Sequence, residues 1–188
     1  MRHRLTPLLL MIGGLLNAHV ARAQETGRAG LTMGYPGAVG MIWHVAERVA
    51  LRPEFSFASS AADTATSGTD ATSFGVGVSG LFYVRTWDNL RAYVSPRFVY
   101  GRGTTTSKGT ATFEGTNSSY ATSFSFGSQY AFSRRFGVFG EVGLGYTDLK
   151  GSLSSSLQPV PSLSITIPTD VRSHSWSTRT GVGIVVYF

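Results

Sequence analysis

Seven ionisable side chains invite a chemical reading first: Arg52, Glu54, Arg85, Arg91, Arg97, Glu141 and Arg179. Guanidinium and carboxylate groups brought together either lock into charge-assisted ion pairs or line a passage and select the ions that cross it. Two histidines, His44 and His174, add a second possibility. His174 lies in Ser173-His-Ser-Trp-Ser, and a hydroxyl beside an imidazole is the minimum for nucleophilic catalysis. Such a base also needs a partner that orients it. In an extended chain the serines flanking His174 point to the opposite face, so no base–orienter chain assembles from this segment. No His, Asp and Glu cluster has metal-ligand spacing, and the chain has no Cys. The expectation is therefore no catalytic residue, no metal, no cofactor and no disulfide framework.

What positions the charged residues is a sequence written in twos. Near the end of the chain, Trp176, Thr178, Thr180, Val182, Ile184, Val186 and Phe188 form one set, and Ser177, Arg179, Gly181, Gly183, Val185 and Tyr187 the other. Successive side chains of a strand point to opposite faces. One face is thus oily and ends in a ring, while the other is small or polar and carries an arginine. The same alternation predicts eight strands over 28–35, 38–46, 48–58, 72–86, 89–103, 118–133, 135–149 and 173–188. Tight turns at 46–48, 87–89 and 133–135 alternate with a Tyr35-Pro-Gly turn and with polar loops over 59–71, 101–118 and 150–172. A competing reading makes 28–46 one bent strand and finds the eighth near Leu163, Ile165 and Ile167. We place that piece in an outward hairpin extension of the last loop instead. Pro53 and Pro96 cannot donate to a ladder, and a bulge or kink is expected at each.

The charges decide which face looks inward. All seven share the face opposite the oily set, and a charge facing lipid is costly near the midplane. Aromatic rings gather at both ends of the oily set: Trp43, Phe132, Phe136 and Phe188 toward the tight turns, Tyr100, Tyr120, Tyr146 and Trp176 toward the long loops. Rings of this kind suit a membrane–water boundary. The fold class is then all-β, an eight-stranded antiparallel up-and-down transmembrane β-barrel. The interior of so small a barrel is filled by side chains. Glu54, Arg97 and Glu141, at matching positions of the third, fifth and seventh strands, are expected to approach one another, joined by Arg52 and Arg179. We read them as an ion-paired plug in preference to a selectivity ring, with His44 as an inward hydrogen-bonding group.

The first residues read separately. Met1-Arg-His-Arg, the apolar run 8–16 and Ala21-Arg-Ala mark residues 1–23 as a signal peptide. Residues 24–188 form the barrel domain. Removing Arg2, Arg4 and Arg22 leaves 13 basic and 10 acidic residues, a net of +3. No basic stripe remains, so nucleic acid is not an expected partner. The apolar run is also shorter than the ~20 residues of a spanning helix.

Leader, alternation, uneven connections and the terminal Phe188 together resemble the small bacterial outer-membrane β-barrel proteins of the OmpA/OmpX type. The resemblance covers essentially the whole mature chain. It implies a Gram-negative outer-membrane location among its lipids and implies that Phe188 is an insertion signal read by the barrel-insertion machinery. It also implies a non-catalytic role, structural or through loops whose partner is unknown. The alternatives within the same resemblance are a lipid A-modifying enzyme, with His174 as its one candidate group, and a narrow porin-like channel. No cell-wall-binding domain is expected after the barrel.

Overall fold

The computed structural model describes residues 26–64, 67–109, 112–160 and 163–188, with the backbone alone at 155–160 and 163–168. The signal peptide expected over 1–23 lies outside the described residues. Eight strands follow in chain order: β1 (Ala29–Tyr35), β2 (Ala38–Ala46), β3 (Val49–Asp63), β4 (Gly68–Trp87), β5 (Leu90–Lys108), β6 (Thr112–Ala131), β7 (Phe136–Val160) and β8 (Leu163–Tyr187). Each pairs antiparallel with the next, and β1 pairs with β8, so the sheet closes on itself.

The register fixes the shape of the ring. The row that begins at Met33 passes Val39, Phe55, Val76, Tyr100, Tyr120 and Asp148 and reaches His174, whereas Met33 itself pairs with Ile184. The ring closes with an offset of ten residues, from His174 to Ile184. An offset of that size in eight strands inclines them by about 40° to the barrel axis. Because it is even, every strand keeps its oily set on one side. Leu31, Met41, Val78, Phe98, Phe124, Leu144 and Val182 are exposed on the outside, while Ile42, Ala50, Leu81, Tyr93 and Val185 are buried inside.

Three turns with both ends of the described chain make one end of the barrel, the turn end. The Ser133 hydroxyl closes one of these turns by accepting from the backbone N–H groups of Arg135 and Phe136 at 3.2 and 3.1 Å. At the other end, the loop end, the polar segments expected as loops are largely strand. β3 runs on to Asp63, β5 to Lys108 and β7 to Val160, leaving short connections. Their polarity removes the oily face, and with it the alternation, but leaves backbone pairing untouched. Threonine favours extended chain, and cross-strand hydroxyl pairs add to it: Thr69–Ser107 at 3.1 Å and Thr116–Ser152 at 3.0 Å. The hairpin of β7 and β8 contains the piece around Leu163. β1 and β2 do not take part in this extension; their hairpin turns back at Tyr35–Ala38, and β8 is paired to β1 only as far as Val182.

No bulge marks the prolines, but the ladder is interrupted on one side of each. Register is unbroken across Pro53 and Pro96, although the ladder omits partners for Pro53 on β2 and for Pro96 on β4. The irregularities fall elsewhere, between His44 and Ala46 and between Tyr83 and Arg85.

Candidate functional site

The site is built from inward positions at mid-height. Arg52 on β3 and Glu141 on β7 are 3 % and 6 % exposed. Arg52 Nη2 donates to Glu141 Oε1 at 2.6 Å, and Arg179 Nη1 on β8 donates to Oε2 at 2.9 Å. Tyr93 on β5 adds its hydroxyl to Oε1 at 3.0 Å. One carboxylate thus accepts from three donors on three strands, which is what a buried charge requires. Arg52 also lies over the ring of Phe139, 4.9 Å from its centroid. Beside this cluster Arg97 donates to Glu54. Both groups line one cavity of about 30 Å³, together with Thr32, Tyr35 and Phe139. That is the room of one or two water-sized spheres, too little for a hydrated ion.

Of the seven residues singled out in the sequence, five meet around this cavity: Arg52, Glu54, Arg97, Glu141 and Arg179. They form two separate ion-paired groups, not one. Arg91 is half-buried nearer the turn end, where it acts electrostatically on His44, Tyr83 and Tyr187. Arg85 is a correction. It is exposed, and its guanidinium lies 5.0 Å from the Trp87 ring centroid. The irregularity after Tyr83 inserts one residue and pairs Arg85 with Ala92, which moves it to the outer face.

Sequence reasoning missed what packs the cluster from below. Tyr83, Tyr93 and Tyr187 are buried with Ile42, Leu81 and Val185. His44 Nε2 and the Tyr187 hydroxyl are 3.0 Å apart, and Gln129 Nε2 donates to the same hydroxyl at 2.8 Å. The signal was present, since these residues fall in the inward sets, but rings on both faces hid it. Two inward glycines make the room. A Cβ on Gly127 would lie 2.7 Å from the Tyr93 ring, and one on Gly183 would lie 2.5 Å from Phe139.

His174 faces outward, directly across from Asp148 on β7. Asp148 Oδ2 accepts from Arg172 Nη2 at 3.0 Å, which holds the Asp148 carboxyl below its ordinary value and raises Arg172. Among the described residues no hydrogen bond joins His174 to Asp148, and no group of three or more His, Asp and Glu side chains is placed to hold a metal. Phe188 projects outward and is 78 % exposed.

The two aromatic groups stand at regular separation. Tyr120 and Tyr130, and Phe136 and Tyr146, are each ten positions apart on the outer face. At ~3.3 Å per residue and ~40° of tilt this is about 25 Å along the axis. The rings touch within each group: Tyr100–Tyr120 and Tyr146–Trp176 at 5.2 Å, Tyr130–Phe132 at 5.1 Å and Phe132–Phe136 at 5.8 Å between centroids.

No protein-family model and no curated protein matches the chain. Among solved structures it is similar to a major outer membrane protein of Thermus thermophilus, with a TM-score of 0.63 and 9 % identity over 86 % of this chain and 98 % of that one. CarO of Acinetobacter baumannii gives 0.44 and 16 % over 87 % and 98 % of the two chains. CarO2 of the same species gives 0.45 and 13 % over 86 % and 97 %. At such identity the first likeness shows a shared fold.

Proposed function

We propose that this chain is an integral outer-membrane β-barrel of the OmpA/OmpX type with a closed lumen and no catalytic role. It strengthens the membrane and presents the paired hairpins of its loop end outside the cell. One observation carries the reading: an apolar outer band about 25 Å tall between two aromatic groups, the height of the lipid-facing band of such barrels, around a lumen whose carboxylates Glu54 and Glu141 are both ion-paired. The fold shared with an outer membrane protein supports it. Residues 1–23 direct export, and Phe188 is presented to the barrel-insertion machinery. The loop partner is a ligand or surface that the hairpins meet.

Heat-modifiable gel mobility of the membrane-extracted protein tests the closed barrel, which should migrate faster unheated than boiled. Identical mobility would overturn it. Deleting Phe188 should lower assembly in cells several-fold and leave refolding into detergent unchanged; equal assembly in cells would remove its role as a signal. Lipid A mass spectra should be the same with and without the protein, and a changed spectrum would replace this reading with the enzymatic one. Planar-bilayer recordings separate the plug from a narrow channel, because a barrel stopped by Arg52, Glu141 and Arg179 should show no steady conductance.

A further inference from the structure

The outer face of the loop end carries its charge unevenly. Directly across the sheet from one another lie Arg102 on β5, Ser118 on β6, Lys150 on β7 and Arg172 on β8. Arg102 is two residues beyond Tyr100, about 5 Å along the axis at ~3.3 Å per residue and ~40° of tilt. Because the strands are inclined, the row climbs from the aromatic group at Arg102 to its highest point at Arg172. At the same level β3 presents Ser59, Ala61 and Asp63 outward, and β4 presents Asp70 and Thr72. The cations are therefore confined to one side of the barrel.

Like charges placed opposite each other destabilise a sheet, and Lys150 directly faces Arg172. Asp148 forms an ion pair with Arg172 and feels Lys150 only through space. Arg102 and Lys150 are exposed and form no ion pair among the described residues. With Tyr100, Ser118 and Arg172 they line an open groove of about 650 Å³, whose far end is marked by the carboxylate of Asp170. Beneath it the wall is oily: Phe98, Phe124, Leu144 and Trp176 are all exposed.

Acyl chains against that wall, with an anionic headgroup in the groove, would complete both surfaces. We propose that the outer face of β5–β8 binds the phosphorylated headgroup of a glycolipid in the surrounding leaflet, with Arg102 and Lys150 donating to its phosphate oxygens. The oily wall below selects a lipid over a soluble phosphate. This rests on the membrane reading given under Proposed function.

The test uses the full chain in detergent micelles, with native mass spectrometry counting retained lipid. The probes are bisphosphorylated lipid A, its dephosphorylated form and inorganic phosphate. The parent should retain the bisphosphorylated form on the order of tenfold better than the dephosphorylated one, and Arg102→Ala with Lys150→Ala should abolish that preference. Arg102→Lys with Lys150→Arg should keep most of it, and Arg134→Ala at the turn end should change nothing. Both sites are exposed, and unaltered heat-modifiable mobility verifies that the variants are folded. Equal retention by the double alanine variant would overturn the site. Displacement of the lipid by millimolar phosphate, with the same dependence on Arg102 and Lys150, would reassign it to a free anion. A parent that shows no heat-modifiable shift would overturn the membrane reading itself and this proposal with it.

Discussion

The two halves of the lumen are made from different materials. Toward the turns it is packed solid with Ile42, His44, Leu81, Tyr83, Tyr93, Val185 and Tyr187, and capped by the Arg52–Glu141–Arg179 group. Toward the loops most inward positions are small, among them Gly75, Gly101, Ser119, Ala121, Ser123, Gly145, Ser175 and Ser177, with Val99, Asn117, Thr147 and Leu149 as larger exceptions. Inward Ser173, Ser175 and Ser177 are exposed. One barrel therefore joins a solid half, where side chains depend on one another, to a hollow half held mainly by backbone pairing. Substitutions should be felt strongly in the first and weakly in the second.

The largest effect should come from the carboxylate that joins three strands. Glu141→Ala leaves Arg52 and Arg179 without their counter-charge and should cost about 3–5 kcal/mol, read by urea unfolding from lipid vesicles. It should also open brief conductance steps in planar bilayers. Unchanged stability with no conductance would mean that the solid half does not depend on this group. Next, Tyr93→Phe removes one hydrogen bond to the same carboxylate, at a cost of about 1.5–3 kcal/mol. Gly127→Ala drives a methyl group into the Tyr93 ring and the Glu141 side chain. Overpacking of that kind should cost about 1–3 kcal/mol, and a stabilised variant would show that the packing is looser than described. In the hollow half, Ser123→Ala and Ser175→Ala should stay within about 0.5 kcal/mol of the parent; a loss comparable to Tyr93→Phe would erase the distinction between the halves.

The smallest effect belongs to the exposed Asp148–Arg172 pair. The folded carboxyl lies below its ordinary value of 3.8 because Arg172 donates to it. Its contribution is therefore complete above pH 3.8 and is lost as pH falls through the folded value. Thermal unfolding between about pH 4 and pH 2 should show a shallow loss that Asp148→Asn removes. An equally steep loss in that variant would assign the acid sensitivity to other carboxylates.

Much of this was legible in the sequence where two faces see different surroundings. Val182, Ile184 and Val186 against Gly181, Gly183 and Val185 give strand, orientation and face at once, because lipid and lumen demand different side chains. The pattern fails in two physical situations. Beyond the rings both faces meet water, so Thr104 and Thr105 look alike and the strand is read as loop. At Val84 one inserted residue shifts every later side chain by a face, and Arg85 comes out on the other side. The ion pairs follow from charges sharing a face, but their division into two groups depends on side-chain reach. Tyr93 and Tyr187 were hidden for a third reason: aromatic rings also mark the boundary belts, and residue type alone does not say on which side of the wall a ring stands.

The short hairpin of β1 and β2 has a consequence for access. Past Tyr35 and Val39 the wall lacks two of its eight staves, so the upper part is a curved six-stranded trough from β3 to β8 whose two margins do not meet. β8 before Val182 and β3 after Phe55 run without a neighbour from that hairpin. The hollow half is thus reached from the flank as well as from the top, and Tyr35 and Pro36 stand at the sill of that side entrance, beside the cavity that holds Glu141 and Arg179.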